Sequence, residues 1–239
     1  MFVNNLDPVA FEFLSFQIRW YSLAYIFGFL IGWFYIKNFL IKDLREKTLV
    51  DDFITYLILG VIIGGRLGYV IFYNFFYYLS HPFEIFFIWQ GGMSFHGGLL
   101  GVCLATYIFT QKYNLNFFRY TDLVSLVAPI GIFLGRIANF INSELYGRET
   151  DFIFSVNFNK VDNLFRHPSQ LYESFFEGIV LFIILNFLWK KFSEVPGVIS
   201  SLFLIFYSLF RFIIEFTREP DAHLGLSLIH ISEPTRRCY

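Results

Sequence analysis

Three arginines, Arg66, Arg136 and Arg211, stand in long stretches almost free of other charge. A guanidinium presents a planar fork of N–H donors that matches phosphate oxygens two at a time. Arg211 has Glu215 at i+4 and Arg218 at i+7, so one helical face could carry a self-neutralised set. Arg66 and Arg136 have no acid at i±3 or i±4, and an acid from another helix, such as Glu144, is their simplest structural partner. His96 lies in Gly91-Gly92-Met93-Ser94-Phe95-His96-Gly97-Gly98. A lone histidine in such a chain usually packs, but four flanking glycines leave the ring accessible, and imidazole exchanges protons near neutral pH. The combination suits an anionic phosphate headgroup with a proton acceptor close by.

The elements that position these groups must cross a membrane. Hydrophobic residues make up 56% of the 239 residues and charged residues 15%, with 35 Phe, against about 25% charged in a soluble domain. Residues 20–36, 67–83 and 85–111 contain no Asp, Glu, Lys or Arg. A soluble enzyme and a disordered chain are both excluded, and a net charge of −1 argues against nucleic acid as a partner. The fold class is an all-α polytopic membrane protein. Six spans are predicted, over 20–40, 53–73, 94–110, 122–142, 169–189 and 198–217, each near the ~20 residues a bilayer requires. Residues 83–89 read as an interfacial or re-entrant turn. Glycines four apart (Gly28/Gly32, Gly60/Gly64/Gly68, Gly97/Gly101, Gly131/Gly135) read as notches where helix backbones approach. Cys103 and Cys238 have no partner nearby in sequence, so neither a disulfide framework nor a zinc site is expected.

Lys42, Arg45 and Lys47, then Lys112 and Arg119, then Lys190 and Lys191 occupy the odd-numbered loops. Positive loops stay in the cytoplasm, which puts the N-terminus outside. Residues 1–18 carry two acids and no Lys or Arg, unlike a cleavable signal peptide. Arg66, Arg136 and Arg211 then each lie six or seven residues short of an outward helix end, about 10 Å below the outer boundary. Tyr21, His96 and Gln170 begin the helices running the other way. Counting alone therefore predicts one polar layer near the outer face, at the depth of phospholipid headgroups.

Several segments resemble the bacterial prolipoprotein diacylglyceryl transferase family. They are Gly64-Gly65-Arg66-Leu67-Gly68-Tyr69, the Gly91–Gly98 run, and Gly135-Arg136-Ile137-Ala138-Asn139-Phe140-Ile141-Asn142 with Glu144 and Gly147-Arg148. Arg166-His167-Pro168-Ser169-Gln170-Leu171-Tyr172-Glu173 and the run from Arg211 to Asp221 complete the set. The likeness covers about residues 15–223, with five matches in family order. It implies an inner-membrane enzyme with a seven-helix bundle and a small periplasmic head, here residues 143–168. It implies transfer of the diacylglyceryl group of phosphatidylglycerol to the lipobox cysteine of a prolipoprotein, with release of glycerol phosphate. His96, Arg136, Arg211 and Tyr21 become the expected catalytic residues, with Tyr21 orienting His96. Arg66, Asn139, Glu144, Gly147, Glu215 and Arg218 become the expected substrate-binding residues. The substrate supplies the thiol, so no catalytic cysteine, metal or cofactor is required.

Residues 224–239 depart from the family and resemble translated adapter DNA joined to a shortened reading frame. A catalytic domain of 1–223 is expected, without the family's last helix. The rival reading is a transporter or flippase for an anionic lipid. That function calls for a second polar station at the inner face and an inverted repeat, and the sequence offers neither.

Overall fold

The computed structural model describes residues 2–13 and 16–219; the expectations for residues 224–239 lie outside them. A short strand β1 (Phe2–Val3) and a hairpin of β2 (Val9–Phe13) and β3 (Phe16–Arg19) precede α1 (Trp20–Leu40). α2 (Leu44–Phe72), α3 (Phe75–Ser80), α4 (Phe95–Tyr113) and α5 (Phe117–Ile141) follow. Then come β4 (Val156–Asn157), β5 (Phe165–Arg166), α6 (Ser169–Phe192) and α7 (Val198–Glu215). The membrane portion is all-α, as composition demanded. Five helices, α1, α2, α5, α6 and α7, are long and apolar enough to span a bilayer. α4 occupies the place of the third predicted span with 19 residues, but His96, Gln111 and Lys112 at its ends lower its apolar character. Residues 83–89 do not span: two short 3₁₀ turns, Pro82–Phe86 and Ile88–Gln90, carry the chain from α3 to α4.

Helix starts differ from the spans read in sequence. α2 begins at Leu44, nine residues before the predicted 53, because Asp43 caps it by accepting from the Arg45 N–H at 2.9 Å. Arg45 and Lys47 are therefore on the helix and not in a loop. Hydropathy marks the lipid-crossing part of a helix, and a capped, charged first turn extends it into the interface. Large side chains such as Phe34, Leu59, Ile63, Ile183, Phe187, Leu204 and Phe212 stand exposed. In water that would be untenable, and in lipid it is the expected outer face.

The chain divides into two packing units, described separately: residues 37–121, and residues 2–36 with 122–219. In the first, α2 and α4 pack backbone to backbone. A Cβ added at Gly60 would come within 2.6 Å of the Gly101 carbonyl oxygen, and one at Gly68 within 2.7 Å of Gly97 Cα. At the opposite end Phe53, Phe109 and Tyr120 form an aromatic core with centroids 4.9–5.4 Å apart. Lys37–Asp51 at 2.7 Å and Arg119–Glu46 at 3.2 Å lie beyond it.

The packing-notch reading thus holds for the glycines of α2 and α4 and for Gly28, whose added Cβ would lie 3.3 Å from Gly131 Cα, but not for Gly135, where an added Cβ meets nothing within 4 Å. The difference is measurable. Gly101→Ala should destabilise the protein by about 1–3 kcal/mol through overpacking, whereas Gly135→Ala should be neutral or slightly stabilising by helix propensity. Thermal unfolding of both variants in the same detergent checks the contrast; equal melting temperatures would show that the α2–α4 contact yields without cost.

In the other unit, β1, β4 and β5 form a three-stranded sheet in that order, β1–β4 parallel and β4–β5 antiparallel. It covers a core of Phe140, Val156 and Phe158 with Tyr146 and Leu171. Sequence reading assigned no structure to the first residues; here they tie down segment 143–168, with the Asn4 side chain donating to the Phe140 carbonyl at 2.6 Å.

Candidate active site

α5 and α7 run in the same direction, and one contact sets their height. Asp122, at 1% exposure, accepts from the backbone N–H groups of Gly197 and Ser200, both at 2.7 Å, and from the Ser200 hydroxyl. An α5 carboxylate thus satisfies the free donors at the start of α7. Arg136 lies 14 residues beyond Asp122, and Arg211 lies 14 residues beyond Gly197. At 1.5 Å per residue both are about 21 Å along their helices, and so reach the same level.

α6 enters between them from the other end. It is drawn close to α5 at Gly178, where an added Cβ would lie 2.7 Å from Phe133 Cβ. Ser174 Oγ donates to the Phe133 carbonyl at 3.3 Å. Residues Ser174–Val180 form a π-helical segment, a local widening frequent at functional sites. This geometry delivers Glu173 and Glu177, both with fully buried side chains, to the arginines.

Glu173 is the hub. Its Oε2 lies 2.8 Å from Arg136 Nε, and its Oε1 lies 2.7 Å from Arg211 Nη1 and 3.4 Å from Arg218 Nη1. The Arg136 contact is an ion pair without hydrogen-bond alignment, since Oε2 receives no hydrogen bond among the described residues. Glu177 is 3.8 Å from Arg136 and 3.7 Å from Arg211, and neither of its oxygens receives a hydrogen bond there. Glu215 reaches Arg211 at 3.5 Å. The two structural partners read from sequence are therefore corrected. Arg136 pairs with Glu173 and not Glu144, and the shortest ion pair of Arg211 is with Glu173 and not Glu215. Arg218 lies beyond the end of α7, where its burial pushes its pKa down against the opposing pull of Glu173.

The head segment fixes Arg218 through its backbone. Gly147 bridges to Arg218, Arg148 N–H donates to the Thr217 carbonyl at 2.9 Å, and Arg148 Nε donates to the Arg218 carbonyl at 2.8 Å. Gly147 is required here: an added Cβ would lie 2.5 Å from the His167 carbonyl oxygen and 2.6 Å from that of Thr217. Ser169 Oγ donates to the Leu145 carbonyl at 2.9 Å and Gln170 Nε2 to the Glu144 carbonyl at 2.5 Å, which ties the start of α6 to the segment after α5. The Glu144 N–H in turn donates to the Asn139 carbonyl at 3.0 Å, and Asn139 is buried. Arg166 pairs with Asp162 at 2.7 Å, which lowers the Asp162 carboxyl and raises Arg166.

Of the predicted residues, Arg136, Arg211, Arg218 and Glu215 meet in one cluster, with Asn139, Glu144 and Gly147 in the segments supporting it. Tyr21 lies in electrostatic reach of Arg136 and Glu144, its hydroxyl 3.4 Å from that of Tyr25. Arg66 and His96 belong to the other unit. Arg66 donates to the carbonyls of Glu84 (2.6 Å), Ile85 (2.8 Å), Phe87 (3.4 Å), Gly91 (2.6 Å) and Gly92 (3.2 Å). His96 is in the first turn of α4, exposed, its ring edge-on to Phe95. Sequence reading missed Glu173, Glu177 and Asp122. The first two were visible as acids four apart inside a predicted span, a costly placement that signals function or pairing.

A model of the family described as prolipoprotein diacylglyceryl transferase matches residues 8–235. The chain is 50% identical over 232 residues to a Rickettsia typhi protein named phosphatidylglycerol–prolipoprotein diacylglyceryl transferase, covering 95% of this chain and 90% of that one. A Rickettsia canadensis protein of the same name is 51% identical over 233 residues, with the same coverage. One from Rickettsia bellii is 50% identical over 226 residues, 92% and 86% of the two chains.

Proposed function

The chain belongs to the prolipoprotein diacylglyceryl transferase family, and from that premise we propose that it transfers the diacylglyceryl group of phosphatidylglycerol to the lipobox cysteine of a prolipoprotein. This is the first step of lipoprotein maturation, placed in the bacterial inner membrane with the N-terminus and reacting layer outside. The observation that carries it is the convergence of Arg136, Arg211 and Arg218 on buried Glu173. A transporter is not favoured, since the relatives are named as transferases.

The cysteine sulfur attacks the glyceryl carbon bonded to the phosphate oxygen. An S–C bond forms, the C–O bond breaks, and its electron pair goes to the departing phosphate. A free thiol has a pKa of about 8.5, so a base assists near neutral pH. Charge grows on the phosphate, and fixed guanidinium donors act most strongly on charge that develops in the transition state. Arg136 and Arg211 take that role. Glu173 holds them in place, which removes the need to order two long side chains during the reaction. Arg218, Glu215, Asn139, Glu144 and Gly147 maintain the arrangement, and Arg66 fixes the fold of its own unit.

His96 is the proposed acceptor of the thiol proton and Tyr21 a polar neighbour of the arginines. His96→Gln should lower turnover by about 10²–10⁴-fold. Steady-state kinetics with a fluorescent lipobox peptide checks this. Turnover unchanged by the substitution would move the proton to Glu177, whose carboxyl oxygens have no donor among the described residues.

A further inference from the structure

One buried acid of the arginine cluster has no task in the mechanism above. Among the described residues, Arg136, Arg211 and Arg218 are balanced by Glu173, Glu177 and Glu215, so the formal charges of the cluster cancel. Glu173 holds Arg136 and Arg211 at 2.8 and 2.7 Å and accepts a hydrogen bond from Arg211. Glu215 keeps 11% of its side chain exposed. Glu177 has neither support. It is fully buried, it comes no closer than 3.8 Å to Arg136 and 3.7 Å to Arg211, and neither oxygen accepts a hydrogen bond among the described residues. Such a carboxylate stays ionised only through the positive charge around it.

The groups that face Glu177 come from each element around it. Arg136 approaches from α5, Arg211 and Tyr207 from α7, Arg218 from the segment after α7, and Glu173 from its own helix one turn earlier. Glu215 acts on it through their shared partner Arg211. Glu173 and Glu177, four residues apart, repel each other, and the arginines offset that repulsion. Donors are left over as well. Arg211 Nε and Nη2 have no hydrogen-bond acceptor among the described residues, although that side chain is only 7% exposed. Unmet guanidinium donors suit an anion with several acceptor oxygens. A phosphodiester brings those oxygens and one negative charge. It engages the same guanidiniums that keep Glu177 ionised, and it leaves four negative charges against three positive. A proton on the acid with the weakest contacts restores neutrality.

We propose that a lipid phosphate enters this cluster together with one proton from water, and that Glu177 holds that proton. The choice of anion rests on the phosphate-clamp reading above. The proton is separate from the thiol proton, and no covalent bond of the lipid changes on binding. Glu177 is a positioning residue: once neutral, it stops competing for Arg136 and Arg211, and its O–H becomes a donor. Linkage fixes the sign. Uptake of a proton on binding makes binding tighter as pH falls. Kd rises with pH by up to about tenfold per unit over the range where the complex holds the proton and the free protein does not.

The test uses the full chain in detergent with short-chain phosphatidylglycerol and, as the phosphate-free control, a short-chain diacylglycerol. Titration calorimetry over a pH series, in two buffers of different ionisation enthalpy, gives the number of protons bound with the lipid. Wild-type protein should take up close to one proton per phosphatidylglycerol at the maximum of the series and none with diacylglycerol. Glu177→Gln should lose that uptake and the matching slope of Kd with pH, whereas Glu215→Gln should keep both. Difference infrared spectra of the wild-type protein with and without phosphatidylglycerol need no variant to fold. They should show a protonated-carboxyl stretch gained and a carboxylate stretch lost. The same uptake in Glu177→Gln, its loss in Glu215→Gln alone, equal uptake with diacylglycerol, or no new carboxyl stretch would each overturn the assignment. Proton-coupled binding without transfer to a lipobox peptide would keep the assignment and remove the transferase reading. Transfer with binding that takes up no proton would do the reverse.

Discussion

Arg136→Ala protein should insert and accumulate in the membrane yet transfer diacylglyceryl groups to a lipobox peptide at least about 10³-fold more slowly, the upper range for loss of one preorganised donor. The side chain of Arg136 is 14% exposed, against 7% for Arg211 and 4% for Arg218. It is the most open guanidinium of the cluster. Its contact with Glu173 is made through Nε, and the nearest partner of its Nη2 is Glu177 at 3.8 Å. The outer fork is thus the part least committed to the protein. Arg136→Lys separates charge from geometry, since it keeps a cation near Glu173 but loses the planar fork. It should melt within a few degrees of wild type and still lose most of the transfer rate. Mass spectrometry of the peptide, read for the gain of one diacylglyceryl group, measures both variants. Transfer by Arg136→Ala at the wild-type rate would end the phosphate-clamp mechanism.

Much of the fold was legible because lipid leaves few options. With no water to satisfy the backbone, apolar runs of this length must be helices; five of the six predicted spans coincide with helices long and apolar enough to cross, and the third falls on the less apolar α4. The level of Arg136 and Arg211 was also legible, because rise per residue converts sequence position to depth. Equal offsets of 14 residues from the Asp122–Gly197 contact make that concrete. The glycines of α2 and α4 declared close packing through their spacing, yet Gly135, four residues after Gly131, has the same spacing and no such role. A periodicity marks a helix face but does not say what lies opposite it.

What the sequence hid was partnership. Arg136 has no acid one turn away, so its counter-charge had to come from another helix, and α6 offers it only because Gly178 admits Phe133 so closely. Arg66 looked like a substrate-binding residue, since an arginine inside a span demands a partner. Its partners are main-chain carbonyls of the turn at residues 84–92, and carbonyls leave no mark in composition. The sheet that holds Phe2 and Val3 against β4 was equally invisible, because two-residue strands carry no alternation.

The hub itself gives the second large effect. Glu173→Gln removes the carboxylate that Arg136, Arg211 and Arg218 share. The three guanidiniums would then face one another in a buried site with only Glu177 and Glu215 to balance them among the described residues. Removing one partner of a buried ion pair costs about 3–5 kcal/mol. For a domain of this size that lowers the melting temperature by about 6–20 °C. Transfer should fall as well, since the arginines lose their common anchor. The loss of stability and the loss of activity are separable by a second substitution. Arg218→Met in the Glu173→Gln background removes one surplus charge and should recover part of the stability, with a coupling of about 1–3 kcal/mol in the double-mutant cycle. It should recover no transfer, because Arg136 and Arg211 remain unanchored. If Arg218→Met costs the same stability with and without Glu173, the two side chains act independently and the shared-hub arrangement is wrong. Should stability return together with full transfer, Glu173 neutralises charge but does not position the arginines.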